Sequence, residues 1–411
     1  MNYPKIRFQE FSDSWQSKKL GDFTVFTKGK NISKSDITQN GDYECIRYGE
    51  LYTHYNEVID IIKSRTSLPF EQLLFSKAND IIIPSSGETA IDIATASCVL
   101  KDNVALGGDL NILRTAENGV FLAYYLNSAK RQNISSLAQG NSVVHLYAKQ
   151  LKDLNVNIPN RNEQNKIADF LLKVDTRITF LKEKKTLLEQ YKKAVMQKIF
   201  SQELRFKDEN GDEFNSWQET TLGEIGTFQT SSIDKLTRDN EKKIYLVNYM
   251  NVYRHENINR DTVQSFQIVT AKDSQISSCS LKKGDILFTP SSETPSDIGH
   301  SVVIFEDLPN AVFSYHLMRF RPSIEINTLF SHYFCNTTEI LKQLSKLATG
   351  STRFTISVKS FSSIKVKLPS LGEQKQISSF LKILDEKIFA IENQIKESEK
   401  WKKGLLQKMF V

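Results

Sequence analysis

The side chains of this 411-residue chain best suited to metal ligation or nucleophilic catalysis are six histidines and four cysteines. His54, His145, His255, His300, His316 and His332 form no HExxH and no other metal-ligand spacing. Cys45, Cys98, Cys279 and Cys335 form no CxxC, which argues against structural zinc and a disulfide framework and fits reduced thiols. A GxGxxG for a dinucleotide or methyl donor is absent, as is a GxxxxGK[ST] for a nucleoside triphosphate. The chain has no Pro-Pro pair, so the Asn/Asp-Pro-Pro-aromatic motif of amino-methyltransferases is missing too. A hidden nuclease core would fall at Asp80 or Asp285, each opening an apolar run. The expected catalytic set is none, and the expected metal set is none.

Other residues are suited to holding a polyanion. Pro84-Ser85-Ser86-Gly87 and Pro290-Ser291-Ser292 are small hydroxyl-bearing loops that a phosphate or base edge can approach. Gly140-Asn141-Ser142 and Gly350-Ser351-Thr352-Arg353 repeat that chemistry, with Arg353 able to make a bidentate guanine or phosphate contact. Lys28, Lys30, Arg47 and Tyr48, and later Arg238, Asn248, Tyr249 and Arg254, mix cations or amides with aromatics. Ordinary turn chemistry explains the same Ser- and Gly-rich stretches, so these residues are candidates for DNA contact only.

The candidates recur because the chain repeats itself. Setting Leu137–Phe200 beside Leu347–Phe410, without a gap, makes 19 of 64 positions identical. Among them are Gly140/Gly350, Pro159/Pro369, Glu163-Gln164/Glu373-Gln374 and Asp175/Asp385. Earlier anchors match more loosely: Arg7-Phe8 with Arg205-Phe206, Trp15…Leu20-Gly21 with Trp217…Leu222-Gly223, and the runs from Asp80 and Asp285. So long a period marks a duplicated domain rather than a solenoid, and implies a pseudo-two-fold molecule. Catalysis present in both copies would leave matching titratable residues, yet the matching residues are mostly structural.

Each copy begins with short β-branched and aromatic runs punctuated by Gly, Pro, Asn and Ser, the pattern of a strand-rich domain. A long helix follows. Ile167, Val174, Leu181, Leu188 and Val195 recur every seven residues, with Leu171, Ile178 and Ile199 four later and Lys185 and Lys192 as exceptions. The second copy gives Ile377, Leu384, Ile391 and Leu405, with Leu381, Ile388, Ile395 and Met409, interrupted by Ser398 and Lys402. These rows are coiled-coil seams, and they predict an antiparallel pair of helices. Asn160 and Ser370 stand three residues before Glu163 and Glu373, as in a capping box. The expected fold is α+β: two strand-rich domains, 1–158 and 203–368, joined by helical spacers 159–202 and 369–411.

A composition of 39% hydrophobic and 25% charged residues is that of a globular chain, not a disordered one. No apolar run approaches the roughly 18–20 residues of a membrane span, and no secretory signal is expected, so a cytoplasmic protein is predicted. The net charge of +6 hints at a polyanionic partner. The helical segments 161–200 and 371–411 carry +5 and +2, leaving −1 for the rest of the chain, so the basicity sits on the helices.

Two diverged domains, each followed by a coiled-coil helix headed Pro-x-x-x-Glu-Gln, resemble the DNA-specificity subunit of type I restriction–modification systems. Trp15…Leu20-Gly21 and Trp217…Leu222-Gly223, the Asp80 and Asp285 runs, the Gly140 and Gly350 turns and the two helix heads carry this resemblance across nearly the whole chain. It implies a non-catalytic chain in which each target-recognition domain reads one half of a split double-stranded DNA site. The helices would set the spacer. Two methyltransferase (modification) subunits bringing S-adenosylmethionine would dock, joined by restriction/translocase subunits bringing ATP and Mg, with no cofactor in this chain itself. Two other readings remain: an unrecognised nuclease, and a coiled-coil scaffold with no DNA role.

Overall fold

The computed structural model describes residues 4–140 and 142–410, so Asn141 lies outside the described residues. The chain forms two compact units. One gathers the described residues up to Glu183 with those from Glu392 onward; the other spans Lys184–Ile391.

In the first unit, Thr24–Lys28, Leu110–Thr115, Asp80–Pro84, Ser97–Val99 and Val58–Ile59 lie side by side as a five-stranded sheet. A second sheet orders Ala105–Leu106, Tyr43–Ile46, Ser64–Thr66 and Ile37–Thr38. Every residue of Asp80–Pro84 is buried, which is why the run reads as continuously apolar after its aspartate. The second unit repeats the plan. Gly226–Thr230, Met318–Pro322, Ile286–Phe288 and Ser301–Val303 form one sheet, and Gln267–Ala271, Lys242–Val247, Leu308–Phe313 and Ser280–Leu281 the other. Backbone detail matches as well: Asn79 (φ 82°) and Gly284 (φ 90°) take the same left-handed turn before Asp80 and Asp285.

Those two aspartates are structural. Arg114 donates to Asp80 from Nε (2.8 Å) and Nη2 (2.6 Å), and Arg321 grips Asp285 at 2.6 and 2.7 Å. The N–H groups of Lys77 and Lys282 add a further bond to each. Both oxygens of each carboxylate are therefore occupied, and the nuclease reading loses its proposed metal ligands.

The two long helices are Arg161–Phe200 and Leu371–Met409. Forty and 39 residues make each about 60 Å long at 1.5 Å per residue. In the first unit Ile167 and Leu171 share one core with Leu405 and Met409, Asp175 meets Lys402, and Lys182 meets Glu399. Rising numbers on one helix meet falling numbers on the other, so the pair is antiparallel. In the second unit Val195 and Ile199 share a core with Ile377, Leu381 and Leu384. Val174, Ile178, Ile391 and Ile395 are also buried, and Leu181, Leu188 and Ile388 half-buried, so the predicted seam residues are withdrawn from solvent within each unit.

Short strand pairs lead into both helices: Gln16–Lys19 with Asn155–Ile158, and Gln218–Thr221 with Lys365–Leu368. The helix heads show what Pro-x-x-x-Glu-Gln is for. Asn160 Oδ1 accepts from the Glu163 N–H (3.0 Å), and Ser370 Oγ does so for Glu373 at 3.4 Å. The expected reciprocal half of the capping box is replaced. Glu163, with no exposed surface, accepts from Arg7 Nε and Nη2 (2.7 Å each) and from Trp15 Nε1 (3.3 Å). Glu373 does the same for Arg205 (3.1 and 2.8 Å) and Trp217 (3.0 Å). Gln164 and Gln374 each receive a backbone N–H, from Asn118 and Asn327, and donate back to Pro159 and Pro369 carbonyls.

Candidate nucleic-acid interface

Two of the three lysines that interrupt the seams, Lys192 and Lys402, prove to be anchors. Lys402 Nζ lies 2.7 Å from Asp175 Oδ1 and 3.4 Å from Glu57, over the ring of Tyr124 at 5.3 Å. Tyr124 donates its hydroxyl to Asp175 (2.5 Å). In the other unit Lys192 pairs with Asp385 and lies 5.3 Å over Tyr333, whose hydroxyl donates to Asp385 at 2.7 Å. Each anchor takes its aspartate from the helix of its own repeat, its lysine from the helix of the other repeat, and its tyrosine from the strand-rich domain. Burial, then the adjacent aspartate, hold both phenols above their usual pKa, so both remain protonated donors.

At the first domain's sheet ends the candidates converge through backbone contacts. Lys30 N–H donates to Leu106 O (2.9 Å), Gly107 N–H to Ile46 O (2.8 Å), and Ser85 N–H to Asp109 O (2.8 Å). A side chain at Gly29 would meet the Gly107 carbonyl at 1.9 Å, so the close approach there needs glycine. Arg47 is half-buried beside Gly107, its Nε enclosed without a hydrogen-bond partner. Tyr48 is exposed and meets Tyr52 edge-on, and Tyr52 donates its hydroxyl to the Ser86 carbonyl (3.1 Å). Ser86–Gly87 pairs with Val144–His145, which brings the Gly140 turn and exposed Ser142 to the same place. Lys28 stands exposed at the end of its strand.

The second domain repeats this convergence with different side chains. Tyr249 donates to the Ser291 carbonyl (3.0 Å), Arg353 Nη2 donates to Ser291 Oγ (3.1 Å), and Ser291–Ser292 pairs with Phe354–Thr355. The tight turns at Gly140 and Gly350 have φ of 125° and 144°. A Cβ on either would stand 2.1 Å from the carbonyl of Val143 or Arg353. Ser351 and Thr352 are exposed at that turn. Asn248 donates from Nδ2 to Gln267 (3.2 Å) and precedes the short helix Tyr249–Tyr253, while Arg254 is exposed at its end.

Several expectations change. Ser291 and Ser292 are 8% and 6% exposed, so they shape their loop rather than present open hydroxyls, and Gly87 is buried in the matching loop. Arg238 is held in a fork by Asp234, at 2.5 Å through Nη2. Tyr52, Tyr253, His255, Asp297 and His300 belong to the clusters and were missed. The spacing Tyr48/Tyr52 and Tyr249/Tyr253, four apart in each copy, was the available signal. His316 lies against Tyr315 with the rings tilted by 36°, and burial lowers its pKa. Hydroxyls, amides, guanidinium groups and aromatic edges on three loops can donate, accept and stack against a nucleic acid. No group of side chains able to hold a metal occurs among the described residues, and no described helix is long and apolar enough to cross a membrane.

Comparison with known proteins points the same way. The sequence profile of the type I restriction modification DNA specificity domain matches twice, at residues 12–190 and 215–398. The type I restriction enzyme MjaVIII specificity subunit of Methanocaldococcus jannaschii is 23% identical over 425 residues, covering 98% of this chain and 94% of that one. The crystal structure of the S subunit from M. genitalium superposes with a TM-score of 0.58 at 18% identity, covering 100% of this chain and 99% of that one. A structure from work on complex assembly and conformational transition of the type I R-M system gives 0.59 at 16% identity, covering 96% and 97%. The chain belongs to the family of type I restriction–modification DNA specificity subunits.

Proposed function

We propose that this non-catalytic subunit reads a bipartite double-stranded DNA site, one half with each strand-rich domain (1–158 and 203–368). The helical segments 159–202 and 369–411 set the spacer and dock two methyltransferase subunits. S-adenosylmethionine is then supplied by those partners, and ATP and Mg by restriction/translocase subunits. The carrying observation is the matched pair of loop clusters, one per domain, each on a domain fixed to the helices by the same Lys–Asp–Tyr anchor. Within each cluster, Lys28, Lys30, Arg47, Tyr48 and Ser142, and Asn248, Arg254, Ser351, Thr352 and Arg353, are the side chains proposed to face DNA. Base edges carry the sequence information, while phosphate contacts set register.

Mapping of methylated adenines in cells with and without the gene tests this. A split motif that appears only with the gene is expected. An insertion between Leu188 and Val195 should alter the spacer and leave both half-sites unchanged, since DNA advances about 34 Å per turn and the reader distance must follow. A gene-independent methylation pattern, or an unaltered spacer, refutes the reading.

A further inference from the structure

The second recognition domain carries a chain of titratable side chains that the first lacks. Its loop from Thr289 to His300 is closed at the base, where Thr289 N–H donates to His300 O (2.9 Å) and Gly299 N–H to Thr289 O (3.0 Å). Opposite stands the helix Tyr249–Tyr253, followed by His255, a non-glycine residue at φ 52°. Tyr253 donates its hydroxyl to Asp297 Oδ2 (3.0 Å), and His300 Nε2 lies 2.9 Å from Asp297 Oδ1. His300 Nδ1 lies 3.2 Å from His255 Nε2, and His255 Nδ1 lies 3.1 Å from the Ser301 carbonyl.

The protons on this chain can be counted. The Ser301 carbonyl only accepts, so His255 Nδ1 carries hydrogen. Ionised Asp297 only accepts, so His300 Nε2 carries hydrogen. The ring-to-ring bond needs one hydrogen between its two nitrogens. Three N–H protons on two imidazoles make one positive charge, and without it one of the three bonds is lost. Burial lowers the pKa of His255, and the His300 hydrogen bond lowers that of Asp297, so the carboxylate at the end of the chain remains an acceptor. The other titratable groups facing this chain are Tyr249 and Tyr253 on the helix, Glu293 on the loop, His332 from the helix Thr328–Phe334, and Arg353 from the turn.

The equivalent loop of the first domain, Pro84 to Ser97, contains no histidine, and His145 on the strand paired with Ser86 lies against Tyr147 rather than a second imidazole. Tyr52 on the Ser86 carbonyl and Thr89 on Asp92 hold the loop instead, and these bonds do not depend on a proton shared between imidazoles.

We propose that His255 and His300 are positioning residues that tie two base-facing segments of the second domain together through one shared proton, making one half-site pH-sensitive and leaving the other insensitive. The proposal rests on the bipartite reading above. Its test uses the full chain with its methyltransferase subunits and duplexes carrying the mapped site, each half-site altered in turn, from pH 6.0 to 8.5. For one half-site, the ratio of affinities for correct and altered duplex should fall at least three-fold as pH rises, and the other ratio should stay flat. His300→Asn should flatten the sensitive ratio, while Tyr253→Phe should lower it and keep its slope.

A sensitive half-site that stays sensitive in His300→Asn, or two flat ratios in the parent, overturns the proposal while leaving the bipartite reading intact. Duplexes whose alteration matters at no pH overturn the bipartite reading itself. If His300→Asn does not fold, imidazole NMR titration of the parent decides. One coupled titration of the two rings supports the shared proton, and two independent titrations overturn it.

Discussion

Replacing Glu373 by glutamine keeps the shape of the helix head and removes its charge. The carboxylate has no exposed surface and accepts three bonds, two from Arg205 and one from Trp217. A glutamine can keep one acceptor there, but its amide nitrogen must face the Arg205 or Trp217 N–H donors. Removing one partner of a buried pair typically costs about 3–5 kcal/mol. Arg205 is 25% exposed, so water can reach part of its guanidinium, and the expected cost falls to about 2–3 kcal/mol. That is roughly a 30- to 140-fold change in the folding equilibrium.

With a urea slope of about 2–3 kcal/mol per M for a unit of this size, the midpoint should drop by about 1 M. Urea unfolding followed by tryptophan fluorescence reads this, because the Trp217 indole is a party to the bond. Glu163→Gln should cost at least as much, since Arg7 is only 12% exposed. The double replacement Arg205→Met with Glu373→Leu should cost less than the sum of the two singles, because it strands no charge. An unmoved midpoint in Glu373→Gln, or strictly additive costs in the double, would refute the reasoning.

Three other expectations follow from the same geometry. Gly350→Ala should open the Gly350 turn, at about 1–3 kcal/mol of local strain, and weaken recognition of one half-site with helix content by circular dichroism unchanged. Lys402→Met should remove the pair with Asp175 and Glu57 and lower stability by about 1–2 kcal/mol, whereas Lys400→Met, at an exposed position, should stay within about 0.5 kcal/mol; thermal unfolding distinguishes them. Asp80→Asn should destabilise the first unit by leaving Arg114 without its carboxylate, and neither the parent nor the variant should cut DNA with magnesium alone; magnesium-dependent cleavage by the purified chain would restore the nuclease reading.

The duplication, the helices and their seam were readable because heptad spacing and gapless identity survive without knowledge of contacts. Glu163-Gln164 and Glu373-Gln374 were visible as matched pairs, but their purpose was misread. A glutamate three residues after a cap suggests a reciprocal bond, whereas Arg7 and Trp15, about 150 positions earlier, claim it. Lys192 and Lys402 looked like flaws in an apolar row, since a charge at a seam is unfavourable until its partner is known. Their tyrosines, Tyr124 and Tyr333, lie outside the gapless stretch and one residue out of step with it. Loop clusters were the least legible part. Serines at a turn look alike in sequence whether exposed or buried, and only the pairing of Ser291–Ser292 with Phe354–Thr355 shows that they are enclosed.

The Lys–Asp–Tyr anchors have an evolutionary consequence. The helices own the lysine and the aspartate, while the domain brings the tyrosine, joined in the first unit by Glu57. A foreign domain with a tyrosine on the matching helix would find the lysine–aspartate socket already made. Recombination bounded by the matched strand pairs would thus exchange a whole reading head in one event. New DNA specificities would then arise by shuffling rather than by gradual substitution, while the two long helices stay constant.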